Sequence, residues 1–305
     1  MSGTTYQTHR KRAIQPKFRG RKRVRSRYAP RYPSTAEREY RRICRAYSAA
    51  VTKPMRKQLD TVMKAYRRQA AGGAREDGIF DFIALVHEAI INIAAEISLA
   101  LEELDLMQSV GKIGGMVQHR SAAEWIAAVR ASLGIELMMD DYEGDVYNEA
   151  VKQWASRNLE YLNGAPAEFL LSIEAVIGSA YRERMDPDEL ETVLQKRLDS
   201  VRNRAEWNAR DQVSSLNAGL MKMYQKGSGV NRYMWKSERD GSVRDCHAAF
   251  DGHIYSWDDP PDDWHYTKSM GRVYTGNAYN PGEAYGCRCC AVPVFERDTF
   301  KTAHQ

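Results

Sequence analysis

The chain has 305 residues, of which 43% are hydrophobic and 28% charged, with a mean hydropathy of −0.60. This length supports one large domain or two of moderate size, with enough apolar residues for a core. The features of a secretory signal are lacking, so we expect the five cysteines to lie in a reducing cytoplasm. The most apolar stretch, 79–101, carries polar residues at helical spacing, which predicts an amphipathic core helix rather than a membrane span.

Residues 1–33 are strongly basic, with eleven Lys or Arg and no Asp or Glu, whereas the rest of the chain has 34 basic and 40 acidic residues. Their charge, prolines and glycine leave too little apolar surface to fold alone, so we predict a disordered, extended arm. Phe18, Tyr28 and Tyr32 lie among the cations, which favours backbone and stacking contact with nucleic acid. The alternatives are a solvated tail and an arm that binds an acidic protein face. The candidate DNA-binding residues are Arg10, Lys11, Arg12, Lys17, Arg19, Arg21, Lys22, Arg23, Arg25, Arg27 and Arg31.

Residues 34–226 have the pattern of an elongated helical body, which makes the predicted fold class mainly α. A helix is expected to begin at Ser34 or Thr35. Asp186 followed by Pro187 marks another helix start, and this helical stretch should end at Gly227.

Four interruptions of the body are expected. We predict a loop at 71–78 and a turn at 110–115, where "VGKIGG" lacks the spacing of a phosphate-binding loop. The acidic run at 140–149 lacks the ligand spacing of an EF-hand and predicts a solvated turn. The helical patterns at 145–162 and 166–183 predict two separate helices.

Residues 227–305 predict a small α+β module. Strands are expected at 232–237, 253–257 and 287–295, because these segments are short, apolar or alternating, and bounded by turn residues. A short helix or turn is expected around residue 247, and a long irregular loop between 258 and 280.

The stretch "GCRCC" at 286–290 holds three of the five cysteines. On a strand, Cys287 and Cys289 would share a face and could reach one ion, with Cys290 pointing away. His247 would supply a third zinc ligand, and Cys246 or Asp245 a fourth. Zinc is the one cofactor that this set suggests. A disulfide, a catalytic thiol and plain packing of buried thiols are the alternatives.

The known catalytic patterns do not fit. A zinc deaminase needs H-x-E and P-C-x-x-C, which the chain lacks around His247. The H-E-x-x-H and G-x-S-x-G motifs do not occur. Cys289 with His247 or His253 stays open as a nucleophile and base. Because the motifs above are lacking, we expect a protein that is not an enzyme.

Five elements follow one another over about 90 residues at the C-terminal end of the chain. They are the Arg-rich helix 204–212, the Gly229-Val230 turn with Trp235, the set Asp240, Arg244 and His247, the pair Asp251-Gly252, and a last group formed by Pro281, Gly282, Cys287, Arg288 and Cys289. This order resembles the phage Mu protein F-like head morphogenesis family of minor head proteins.

The resemblance implies a structural minor head protein of a tailed phage, with a role in head assembly and in DNA packaging or ejection. The expected partners are the portal protein, the capsid interior or scaffold, and packaged double-stranded DNA, with no membrane in the assembled head. The expected location is the head interior or portal vertex of the virion, after assembly in the host cytoplasm.

Structural roles are expected for four residues of the resembling segment, Trp235, Asp240, Arg244 and Arg288. We expect Arg288 to pair with Asp240 or Asp251. The alternative function is a DNA-processing metalloenzyme that uses His247, Cys287 and Cys289.

Overall fold

The computed structural model describes residues 15–72 and 77–302. Six α-helices dominate this part of the chain: α1 Ser34–Gly72, α2 Asp77–Glu102, α3 Leu106–Leu133, α4 Asp145–Glu183, α5 Pro187–Gly227 and α6 Asp245–Phe250. The strands are β1 Arg23–Arg25, β2 Arg232–Lys236, β3 Ile254–Ser256, β4 Asp262–Thr267, β5 Gly271–Ala278 and β6 Cys290–Glu296. The predicted class, mainly α with a small C-terminal α+β module, is confirmed.

The chain divides into two compact units whose limits fall inside helices. Unit 1 combines the residues up to Glu37 with Ile113–Trp154 and the chain from Arg210 onward. Unit 2 consists of Arg38–Lys112 and Ala155–Ala209. This grouping differs from the expected boundaries after residues 33 and 226, because part of the basic segment and two helical segments share a unit with the C-terminal strands.

In unit 2, helix α4 continues through Pro166, where the sequence pattern predicted two helices. A proline cannot donate to the carbonyl four residues earlier, which would leave the oxygen of Leu162 without its helical hydrogen bond. The hydroxyl of Tyr47 donates to that oxygen at 2.8 Å. A buried tyrosine on α1 thus compensates for the proline, and the helix does not end there.

Helix α2, also in unit 2, has one buried face that includes Phe82, Ile93 and Ile97. Its other side exposes apolar residues as well, with Ile83 57% and Leu99 64% accessible. By length and composition, Asp81–Glu102 could cross a membrane, and 28% of its most apolar window is buried. The core helix expected from the sequence is thus covered on one face only.

In unit 1, a four-stranded antiparallel sheet has the order β1-β6-β2-β3. Strand β6 is buried between its two neighbours, and Phe295 packs against Trp125 of α3 with ring centroids 6.0 Å apart. Strands β4 and β5 form a separate hairpin. This hairpin occupies part of the segment 258–280, which was expected to be an irregular loop.

The expected disordered arm is corrected from Gln15 onward. A 3₁₀ helix, Gln15–Phe18, buries Phe18 completely, and its ring lies 6.4 Å from that of Phe300. Strand β1 then pairs with β6, with Arg23 opposite Glu296. The partner strand supplies the hydrogen bonds and apolar contacts that this segment cannot make with itself.

Two expected turns are also corrected. Residues 110–115 lie within α3. Gly114 allows α4 to pack closely there, because an added Cβ would come within 2.6 Å of Val151 Cγ1. In the acidic run, residues 139–142 form a 3₁₀ helix whose Tyr142 is buried, and α4 begins at Asp145.

Gly229 is required both by its conformation and by its surroundings. Its φ is +71°, and an added Cβ would lie 1.9 Å from the carbonyl oxygen of Thr299. We expect Gly229→Ala to lower the free energy of unfolding by about 2 to 4 kcal/mol, from a left-handed backbone plus overpacking. Gly252→Ala is the matched control, because its φ is +80° with no atom within 4 Å. Urea unfolding should show the smaller loss, about 1 to 2 kcal/mol, for the control; equal losses would contradict the steric argument.

Candidate functional site

Two thiols and an imidazole converge in the interior of unit 1. His247 lies on α6, and Cys287 and Cys289 lie in the extended segment just before β6. The sulfur atoms of Cys287 and Cys289 are 3.5 Å and 3.7 Å from His247 Nδ1. The three residues are 3 to 6% exposed. The expected convergence is therefore present, although the two cysteines precede the strand instead of lying on it.

The other ring nitrogen of His247 faces a carboxylate. Nε2 is buried without a hydrogen-bond partner, and Asp263 Oδ1 lies 4.0 Å from it. The thiol of Cys246 donates to the same oxygen at 2.9 Å. Cys246 is therefore grouped with His247 and Asp263 and not with the cysteine pair. Asp245, the other residue suggested as a fourth ligand, is exposed.

Burial and local hydrogen bonds set the protonation of these thiols. The hydrogen bond from Cys289 lowers the pKa of Cys287 well below its usual value, and His247 adds to this effect. The same hydrogen bond, together with burial, raises the pKa of Cys289. Burial and the hydrogen bond to Asp263 raise the pKa of Cys246 to about 11. Cys287 is therefore the more acidic of the two paired thiols.

Aromatic side chains surround the site. The ring of Trp235, from β2, lies 5.1 Å from that of His247 and 5.1 Å from that of Phe250. Trp264 belongs to the same buried cluster. Trp264 and Asp263 were missed from the sequence because their segment was taken as a loop. The alternating pattern "DDWHYT", which forms β4, was the available signal.

Helix α5 fixes the backbone that carries the two cysteines. Ser214 Oγ donates to the oxygen of Gly282 at 3.1 Å, and Asp211 Oδ1 accepts from the amide of Gly286 at 2.8 Å. An added Cβ on Gly282, whose φ is +87°, would come within 2.9 Å of Ala218 Cβ. The backbone at Pro281 and Gly282 therefore packs tightly against helix α5.

Ion pairs hold the outer side of this site. Arg288, between the two cysteines, pairs with Asp240, one of the two partners that were expected. The other, Asp251, pairs with Arg239 at 2.8 Å. Arg244 donates to the backbone oxygen of Tyr285 at 2.7 Å.

The candidate DNA-binding residues fall into two groups. Arg10, Lys11 and Arg12 lie outside the described residues. The other eight cations are exposed: Lys17, Arg19, Arg21, Lys22, Arg23, Arg25, Arg27 and Arg31. In the described part of the chain, Arg23 alone among them pairs with a carboxylate, that of Glu296 at 2.8 Å.

Three aromatic residues of the basic segment, Phe18, Tyr28 and Tyr32, lie among the described residues. Phe18 and Tyr32 are buried, and the hydroxyl of Tyr28 donates to Glu124 at 2.6 Å. The prediction that Phe18 and Tyr32 stack on bases is therefore wrong. Their apolar area contributes to the core of unit 1 instead.

Comparison with known proteins identifies the segment that contains this site. Residues 179–292 match the family described as Phage Mu protein F like protein. The expected resemblance is thus confirmed. His247, Trp235, Asp263 and both cysteines lie within this Mu F-like segment.

A relative in Haemophilus influenzae, called an uncharacterized protein, is 25% identical over 236 residues. The match covers 76% of this chain and 48% of the relative, so the chain spans about half the length of this curated relative. No solved structure matches the chain.

Asp251 of the Mu F-like segment should stabilise the fold in its ionised form. Burial opposes ionisation, but the amide of Ser237, at 2.8 Å, and Arg239 outweigh it and lower the pKa of Asp251. A lowered pKa in the folded state adds stability above the pKa of the unfolded state, and that stability is lost as the pH falls through the folded value. We expect Asp251→Asn to cost about 1 to 3 kcal/mol near neutral pH.

Urea unfolding at several pH values tests this expectation. The difference between wild type and Asp251→Asn should stay constant from about pH 7 to about pH 5 and should narrow as the pH falls below the unfolded-state pKa of about 3.9. Asp259→Asn, at an exposed position, is the control and should change stability by less than about 0.5 kcal/mol. A difference that stays constant with pH would show that the charge of Asp251 is not involved.

Proposed function

We propose that the chain is a structural minor head protein of a tailed phage, which docks on the portal or the capsid interior and contacts packaged DNA. The observation that carries this proposal is the family match over residues 179–292. The family points to phage head morphogenesis and to a place in the virion. Docking on the portal, contact with DNA and a role in packaging or ejection are proposed beyond the family match.

A structural role agrees better with the burial of the His/Cys cluster than a catalytic one. His247, Cys287 and Cys289 are 3 to 6% exposed, and aromatic rings pack around them. A catalytic site needs a space that admits the substrate. The grooves of about 1210 Å³ and 610 Å³ in unit 2 are lined by other residues. The proposed role is therefore that of a framework, and not that of a DNA-processing metalloenzyme.

DNA contact is proposed for the ordered part of the basic segment. Seven exposed cations between Lys17 and Arg31 have no carboxylate partner within the described residues, and β1 fixes the middle of this segment to the sheet. Phosphate contacts release counterions and need no sequence preference. Because Phe18 and Tyr32 are buried, the proposed affinity for DNA depends on the positive charges of the segment.

Partner docking is proposed for the apolar groove of unit 2, which is the larger of the two. Its lining includes Phe82, Ile83, Leu171 and Tyr181. Ile83 is 57% and Leu171 66% exposed, so both side chains are available for contact. Exposed apolar surface beside a groove is typical of protein interaction sites. The resemblance suggests the portal protein as the occupant.

The proposed DNA contact predicts a specific salt dependence. We expect the fourfold variant Arg21→Gln, Lys22→Gln, Arg25→Gln, Arg27→Gln to bind duplex DNA more weakly. The slope of log affinity against log salt should fall by about 0.9 for each phosphate that the variant no longer neutralises. Fluorescence anisotropy from low to high salt measures both quantities.

The matched control removes the same charge elsewhere. Lys53, Lys64, Arg68 and Lys196 are exposed in unit 2, and their replacement by Gln should leave the slope nearly unchanged. Equal losses for the two variants would mean that net charge, and not the basic segment, determines DNA binding.

The proposed docking surface predicts that Ile83→Asp with Leu171→Asp lowers incorporation into phage heads about tenfold or more, because a buried charge disrupts an apolar contact. Quantitative mass spectrometry of purified heads and co-purification with the portal protein measure the effect. Met270→Asp, at a residue 71% exposed, is the control and should leave incorporation intact. Loss of incorporation only when the basic segment is altered would assign docking to that segment instead.

A further inference from the structure

The convergence of two sulfur atoms on one nitrogen calls for an explanation. A ring nitrogen of a neutral imidazole either accepts one hydrogen bond or donates one. Yet the thiols of both Cys287 and Cys289 lie within 3.7 Å of His247 Nδ1. One hydrogen bond to the nitrogen accounts for one of these contacts, and the hydrogen bond between the two cysteines leaves the second sulfur close to the nitrogen without a bond to it.

The distances fit a metal ion between the three atoms. Zinc binds sulfur at about 2.3 Å and imidazole nitrogen at about 2.0 to 2.1 Å, so a tetrahedral angle separates a bound sulfur from a bound nitrogen by about 3.6 Å. The observed separations are 3.5 Å and 3.7 Å. The amide of Cys289 also donates to the sulfur of Cys287 at 3.4 Å, which favours a thiolate there.

The surroundings of the imidazole give a second, independent observation. Nε2 of His247 is fully buried without a hydrogen-bond partner, and the Asp263 carboxylate lies 4.0 Å from it. A histidine that binds a metal through one nitrogen usually directs the other toward a carboxylate or carbonyl, which orients the ring. Asp263 has the position of such an orienting group. Cys246, whose thiol donates to Asp263, is not needed as a ligand.

We propose that Cys287, Cys289 and His247 Nδ1 bind one zinc ion, with a water molecule in the fourth position. Two thiolates and an imidazole favour zinc over magnesium or calcium, which prefer oxygen ligands. Binding of Zn²⁺ forms two Zn–S bonds and one Zn–N bond, with no change of oxidation state. The protons carried by the ligand sulfur atoms pass to solvent. The ion links α6 to the segment before β6 across forty residues of chain.

The metal content of the full-length protein tests the site directly. Untagged protein, purified in reducing buffer without chelator, should contain about one equivalent of zinc. Replacement of zinc by Co²⁺ should give sulfur-to-cobalt charge-transfer absorption and the strong visible bands of a four-coordinate ion. Removal of zinc from the wild type by chelator should lower the melting temperature, and added zinc should restore it.

Variants identify the ligands. Cys287→Ser and Cys289→Ser should each weaken the charge-transfer band of the cobalt form, and the double variant should abolish it. Cys290→Ser is the matched control, because this neighbouring buried sulfur contacts the backbone oxygen of Arg288. It should retain both zinc and the cobalt spectrum. Asp263→Asn should bind zinc about 10- to 100-fold more weakly and keep the two-thiolate cobalt spectrum, as expected for an orienting residue.

Two results would overturn the proposal. One is wild-type protein with fully reduced thiols that holds less than about one tenth of an equivalent of zinc and gives no charge-transfer band with cobalt. The other is a cobalt spectrum that persists in the Cys287→Ser, Cys289→Ser double variant, which would place the metal elsewhere. Because the chelator measurement uses the wild type, a variant that fails to fold does not prevent the test. The proposed role in the phage head is not needed for any of these outcomes.

Discussion

The structure of unit 1 depends on the burial of strand β6 between two partners. β2 pairs with it on one side and β1 on the other, and Gln225 of α5 donates to the oxygen of Ala291 at 3.0 Å. A strand buried in this way must have its backbone groups paired, because an unpaired amide or carbonyl in the interior is costly. The position of β6 therefore determines where the cysteine pair and the basic segment lie, since one precedes it in the chain and the other pairs with its far end.

This arrangement changes how the basic segment would meet an anionic partner. A disordered arm must lose conformational freedom on binding, whereas residues held against a sheet have already lost it. Arg23 and Arg25 are exposed on strand β1, whose backbone pairs with β6. Their charges therefore form a fixed surface and not a mobile tail. The His/Cys cluster, in contrast, is buried.

The sequence predicted what short-range patterns determine. Asp186 accepts from the amides of Asp188 and Glu189, as a helix start requires, and β2 and β3 lie where alternation indicated. The pairing of Arg288 with Asp240 and the approach of the cysteines to His247 were also expected. These features depend on residue type, spacing and the resemblance, all of which can be read from a single chain.

What could not be predicted depends on partners that are distant in sequence. Pro166 predicts a helix end, because the sequence does not show that Tyr47 donates a hydrogen bond to the carbonyl oxygen that the proline leaves free. The glycines around Gly114 predict a turn, because the sequence does not show that Val151 packs against this residue. The alternating segment that contains Asp263 was taken as part of a loop, so the carboxylate beside the histidine was missed. The misses at Pro166 and Gly114 concern tertiary contacts that override a local preference.

The pairing of β1 with β6 also has a consequence for the order of folding. Residues 23–25 leave the ribosome early, but their partners, 294–296, are made near the end of the described chain. Contacts so far apart in sequence form slowly, because a long loop must close first. Until translation reaches β6, β1 has no strand to pair with and its cations lie on an unfolded segment. The sheet can therefore be completed only after the chain has been synthesised through residue 296. A shorter product would lack the ordered basic surface.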